Sequence, residues 1–180
     1  MVFNSWVFAL FFPVVAVLYF LCPQKIRWLL LLIASYFFYG FWNPMYVLLI
    51  LATTTLDWWA AIRMEDAKHQ GERRAYLALS LVSNLGVLFY FKYFNFFIDV
   101  AVRPAARQMG LDIPWLNILL PLGISFYTFQ SLAYIFDVYR GQFKAERHIG
   151  YFALYVHFFP QLVAGPIERP GHLLPQFRVE

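Results

Sequence analysis

Gly123, Tyr127, Gln130, Tyr134 and Asp137 stand four, three, four and three residues apart inside LPLGISFYTFQSLAYIFDVYR (120–140), a segment long enough to cross a bilayer. On a helix that spacing gathers them into one narrow stripe. A central Asp costs about 2.5–3.5 kcal/mol on membrane-insertion scales, so such a stripe faces protein or water rather than lipid. Tyr127, Gln130, Tyr134 and Asp137 are therefore candidate walls of a substrate passage. The plainer alternative is side-chain hydrogen bonding in a packed bundle, worth about 0.6 kcal/mol per contact. For Asp137 the plainer alternative is a local ion pair with Arg140.

A second segment, YFALYVHFFPQLVAGPIERPGH (151–172), breaks its own backbone. Pro160 withholds a donor from the carbonyl of Val156, and Gly165-Pro166 ends any helix soon after. Broken backbone at membrane depth needs protein or a water-filled cavity around it. His157 and Gln161, four apart, flank the break. A neutral His there can act as acid, base or hydrogen-bond donor, or simply pack. Gly165, Pro166 and Arg169 are expected to shape one mouth of the passage.

Two more intramembrane polar candidates lie upstream. Asp57, in LATTTLDWWAAIR, sits under two turns from Arg63 and reads as an interfacial carboxylate held by Arg63 or by a helix end, or reached by water or a partner. Lys92, in FYFKYFNFF, is expected to snorkel toward Asp99 with aromatic support, or to attract an anion or substrate. His69, His148 and His172 lie in loops or the tail with no metal-ligand spacing, so no metal site is assigned. No phosphate loop or nucleophile elbow occurs. The single cysteine, Cys22, cannot form a disulfide within the chain.

The elements that position these residues follow from composition. Of 180 residues, 62% are apolar and 13% charged, far from the balance of a soluble domain. The fold class is all-α: a polytopic integral membrane protein with about six transmembrane or re-entrant helices. The runs are 3–21, 28–42, 45–62, 75–98, 115–139 and 149–163. The second and sixth fall short of the ~20 residues a crossing needs. The second and third can therefore form a re-entrant hairpin at Asn43-Pro44. Trp6, Trp28, Trp42, Trp58, Trp59 and Trp115 mark run ends, where indoles favour the headgroup layer. Lys25, Arg27, Arg63, Lys68, Arg73, Arg74, Arg140, Lys144 and Arg147 fall on one side, and Arg103, Arg107, Arg169 and Arg178 on the other. This bias predicts that the richer side is cytoplasmic and the N-terminus periplasmic. The basic residues sit between apolar runs and form no continuous patch, which argues against nucleic acid and for the lipid bilayer as partner.

LPLGISFYTFQSLAYIFDVYRG, followed by FFPQLVAGPIERP, resembles the membrane-bound O-acyltransferase family, in particular its bacterial branch. FKYFNFF, the run ending near Asp57 and SYFFYGFWNP extend the resemblance over essentially the whole chain. The resemblance implies a helical fold with a passage through the bacterial inner membrane. An acyl group, acetyl for this branch, would move from a cytosolic thioester such as acetyl-CoA to hydroxyls of an exported polysaccharide such as alginate, with periplasmic acetyltransferase or polysaccharide-assembly partners. No cofactor is expected to stay bound. The family's catalytic histidine belongs to a later helix, and none of the four histidines here matches it. Residues 1–180 are thus expected to be an N-terminal, partial region of the fold with no catalytic residue of its own. The competing expectations are a transporter or lipid-flipping protein, and an inactive remnant that binds partners.

Overall fold

The computed structural model describes residues 5–41, 43–108, 119–121, 123–162, 165–166 and 168–178, and these are helical with no strand. Trp42, Trp115 and the expected start of the fifth run lie outside the described residues. In chain order the helices are α1 (Trp6–Leu21), α2 (Gln24–Gly40), α3 (Pro44–Asp66) and α4 (Gln70–Leu88). α4 continues as one rod through a π turn (Phe89–Tyr93), α5 (Phe94–Phe97), a second π turn (Ile98–Val102) and α6 (Arg103–Gln108). Then come α7 (Ile124–Tyr139), α8 (Ile149–His157) and α9 (Pro170–Gln176).

Local chemistry sets several boundaries. Asn43 caps α3, its Oδ1 accepting from the Met45 N–H at 3.0 Å, and Pro44 fills the first helical position, where the missing donor costs nothing. α3 and α4 run past the apolar stretches that announce them, to Asp66 and from Gln70, because polar residues beyond the lipid still favour helix. Gly123 precedes α7 at φ +69°, and a Cβ there would collide with the carbonyl of Leu162, so both backbone angle and space require glycine.

Among the described residues, two helices, Pro44–Asp66 and Gln70–Val102, are long and apolar enough to cross a membrane. Exposure follows the same logic. α1 turns Trp6 (89% exposed), Leu10, Val14, Val17 and Leu21 outward, an apolar face that a water-soluble surface rarely presents. The chain is membrane-associated.

The last part departs from the expected crossing over 149–163. α8 stops after nine residues, about 13 Å, where Phe158 turns extended (ψ 112°) ahead of Pro160. That is too short to span a bilayer. The chain then reverses: Arg178 pairs with Glu146 just before α8, and its guanidinium lies 5.1 Å from the ring centroid of Tyr151 in the first turn of α8. The freed backbone finds partners, since the Phe159 N–H donates to Ser35 Oγ at 3.2 Å and the Gly165 N–H to the Gln161 carbonyl at 2.9 Å. Arg169 and Arg178 therefore sit at the same end of the bundle as Arg147, not opposite it.

That basic end is clamped. Arg147 bonds Asp66 at 2.7 and 3.0 Å and Glu65 at 3.1 Å, while Glu65 also accepts the Ala145 N–H. The Arg147 hydrogen bond holds the Asp66 carboxyl below its ordinary value, and Asp66 in turn raises the Arg147 guanidinium.

Candidate functional site

The stripe of α7 faces α8. Tyr127, Gln130 and Tyr134 are fully buried, and Asp137 is half-buried. Tyr134 packs 4.6 Å from the Phe152 ring centroid, and its hydroxyl accepts the Glu146 N–H at 2.7 Å. Gln130 Nε2 donates to the Tyr155 carbonyl at 3.3 Å, and its Oε1 accepts the Glu168 N–H at 3.2 Å. Tyr155 completes the stitch by donating its hydroxyl to the Glu168 carbonyl at 2.7 Å. Gln130 and Tyr134 thus hold the outgoing and returning arms of the reversed segment against α7, which is how irregular backbone survives at membrane depth.

His157 ends α8 and is 1% exposed. Its Nε2 lies 2.6 Å from Thr54 Oγ1 on α3, and its ring is flanked by Tyr127 at 5.5 Å and Tyr36 at 6.0 Å. Nδ1 has no hydrogen-bond partner among the described residues, nor do the hydroxyls of Tyr36, Tyr39, Tyr127 and Thr128 or Oε1 of Gln161. Whichever tautomer bonds Thr54, Nδ1 is left with one unmet hydrogen-bonding capacity. Of these, Tyr36 of α2 and Tyr127 of α7 flank His157 of α8, and Thr54 of α3 bonds it, so four helices meet at one buried polar patch. Among the described residues no carboxylate bonds His157, so the described cluster lacks the acid partner of a Ser-His-Asp arrangement. Its neutral donors and acceptors suit a small neutral oxygen-bearing group. Because α8 stops at His157, Gln161 sits beyond the helix and not one helical turn further along it.

Asp57 is fully buried and belongs to a different set. Ser80 Oγ donates to it at 2.5 Å and Asn84 Nδ2 at 2.8 and 2.9 Å, with Ser131 of α7 also bonding it. Arg63 is not its partner: that guanidinium lies 5.8 Å from the ring centroid of Trp59, turned away by the helix rotation between the two positions. Lys92 reaches Ser125 Oγ at 3.3 Å and lies over Tyr93, while Asp99 pairs with Arg103 one turn along its own rod. Asp137 makes no ion pair with Arg140 among the described residues, Arg140 lying over Phe136. Asp137 shares with Gln142, Phe143, Arg169, Gly171 and His172 an open cavity of about 320 Å³ at the basic end. Gly165 and exposed Pro166 lie in the return arm. Thr54, Tyr36, Ser80 and Asn84 went unnoticed in the sequence. Only the i, i+3 spacing of Thr54 and Asp57 and the i, i+4 spacing of Ser80 and Asn84 could have flagged them.

Comparison with known proteins decides the family. The chain is 42% identical to "Probable alginate O-acetylase AlgI" of Pseudomonas syringae pv. tomato, over 98% of this chain and 35% of that protein. It is 44% identical to the protein of the same name from Azotobacter vinelandii, over 98% of this chain and 36% of that one. The chain belongs to the membrane-bound O-acyltransferase family. A peptidoglycan O-acetyltransferase of Helicobacter pylori is 30% identical over 82% of this chain and 32% of its own length. The chain spans about a third of the length of these curated relatives of the family. No family model matches it, and no solved structure matches it.

Proposed function

We propose that this chain is the part of a membrane O-acyltransferase that walls the path between a cytosolic acyl thioester, such as acetyl-CoA, and hydroxyls of an exported polysaccharide such as alginate. The observation that carries the reading is the match of nearly the whole chain to proteins named as alginate O-acetylases. The relative named for peptidoglycan shares O-acetyl transfer to a polysaccharide and differs in the polymer. About six helices cross or re-enter the inner membrane in this reading. With Arg169 and Arg178 moved to the richer side, Arg103 and Arg107 are left to the poorer one, which supports a cytoplasmic basic end and a periplasmic N-terminus. The Asp137–Arg169 cavity is the cytoplasmic mouth. His157, Tyr127 and Gln161 line the buried polar patch further in, and the turn carrying Gly165 and Pro166 shapes the wall between them. Periplasmic acetyltransferase or assembly partners complete the transfer.

The test is acetyl transfer from labelled acetyl-CoA to polysaccharide in membranes carrying the complete protein. Asp137→Leu and His157→Phe are expected to lower transfer about tenfold or more while leaving membrane abundance near wild type. Losses of activity and abundance in equal proportion would mean that both residues serve only folding.

A further inference from the structure

A groove outside the proposed path runs between α1 and the reversed segment. It encloses about 300 Å³ and is lined by Phe12, Val15 and Ala16 of α1, by Phe159, and by Leu173 and Phe177 at the far wall. At one end it meets a small polar notch through the shared residues Tyr19, Leu31, Gln176 and Phe177, and the notch adds Gln24, Arg27 and Trp28. Among the described residues, apolar walls thus grade into one cation, and no acidic residue lines either part.

Arg27 is fixed in place. Its Nε donates to the Cys22 carbonyl at 3.1 Å, and its guanidinium stacks 4.9 Å from the centroid of Tyr19. Its terminal nitrogens make no hydrogen bond among the described residues, so a planar pair of donors is oriented but unspent. Exposed Lys25 stands two residues away, adding positive field. The notch lies at the basic end, where Trp28 packs against His148 and Tyr151 at the head of α8. α1 turns an apolar surface outward, and Phe12 and Phe20, which line the groove, are themselves exposed, so the groove is continuous with that apolar surface.

We propose that this groove and notch form a specific site for an anionic phospholipid of the leaflet at the basic end, one acyl chain lying along Phe12, Val15 and Phe159 and the phosphate on Arg27. A free phosphate has no use for the aromatic groove, and a neutral lipid has none for the oriented guanidinium. The arrangement therefore selects an amphiphile with one negative head.

The experiment counts lipids retained by the complete protein after extraction from vesicles of equal parts phosphatidylglycerol and phosphatidylcholine, read by native mass spectrometry. Wild type is expected to retain phosphatidylglycerol about fivefold over phosphatidylcholine, the increment of one basic group near the surface. Arg27→Gln brings the ratio close to one, Arg27→Lys keeps part of it, and Ala16→Trp, which fills the groove, loses the retained lipid. Should Arg27→Gln not accumulate, added salt must still erode the wild-type preference. Equal retention of the two lipids by wild type, an Arg27→Gln ratio like wild type, or unchanged retention in Ala16→Trp overturns the proposal. The last outcome would mean that protein, and not lipid, occupies the groove. None of these readouts depends on acetyl transfer, so the lipid site and the acyltransferase reading stand or fall separately.

Discussion

α3 carries two buried polar residues one turn apart, Thr54 and Asp57, and they enter opposite kinds of neighbourhood. Around Asp57 the hydrogen bonding closes: Ser80 and Asn84 donate to the carboxyl, Asn84 also donates to the Ser80 carbonyl, and α3, α4 and α7 are tied together. Around Thr54 it stays open: His157 takes one contact, and Nδ1 and the hydroxyls of Tyr36 and Tyr127, whose rings flank His157, find no partner among the described residues. A dry, fully satisfied network fixes geometry and has nothing left to offer a ligand. A buried cluster with spare donors and acceptors pays in stability and keeps the capacity to bind. The contrast assigns holding to the Asp57 side of α3 and recognition to the His157 side.

Removing the carboxyl gives the largest expected effect. Asp57→Ala strands the Ser80 and Asn84 donors in the interior and is expected to cost about 2–4 kcal/mol. It should appear as a sharp loss of membrane abundance and of melting temperature in detergent. A harmless Asp57→Ala beside a collapsed His157→Phe would invert the comparison.

A finer test uses two tyrosines on one face of α7. The Tyr134 hydroxyl accepts the Glu146 N–H, so Tyr134→Phe is expected to cost about 1 kcal/mol. The Tyr127 hydroxyl has no such partner, so Tyr127→Phe is expected to stay within about 0.5 kcal/mol of wild type, or to stabilise, in thermal melts. Equal costs for the two would show that Tyr127 is already paired and that the open cluster is closed.

How far the sequence reveals this contrast depends on the range of the interaction. The α7 stripe is legible because helical periodicity is local: residues three and four apart must share a face, and Tyr127, Gln130 and Tyr134 do face protein. The break after His157 is legible for the same reason, Pro160 acting on its own turn. What those residues bond is not local. Asp57 lies 23 and 27 residues from Ser80 and Asn84, and the pairing rests on the register of two packed helices. Arg63, the neighbour in sequence, is on another side of the helix. The reversal of the chain after α8 is not legible in the sequence, because the apolar run continues past the point where Phe158 leaves the helix. Gln130 shows both limits: its spacing reveals that it is buried, but not that it spends both ends on the Tyr155 and Glu168 backbone.

The smallest expected effect lies outside both clusters, at the Arg147 clamp. The Asp66 carboxyl is held below its ordinary value of 3.8 chiefly by the Arg147 hydrogen bond, with the charges of Arg147 and Arg63 acting in the same direction. A carboxyl lowered in the folded state adds stability that is complete above its ordinary value and is lost as pH falls through the folded value. Arg147→Gln should therefore melt slightly below wild type at neutral pH, and the gap should close as the pH falls below the ordinary carboxylate range through the lowered value of Asp66, and in high salt. Both partners are solvent-exposed, so the gap is small even at its widest. A gap that persists in acid would assign the clamp to packing of the 141–148 loop and not to charge. Acetyl transfer is expected to be unchanged at neutral pH, since the clamp bonds neither the His157 patch nor the Asp137 mouth. A loss there would extend the recognition side of the molecule to the membrane surface.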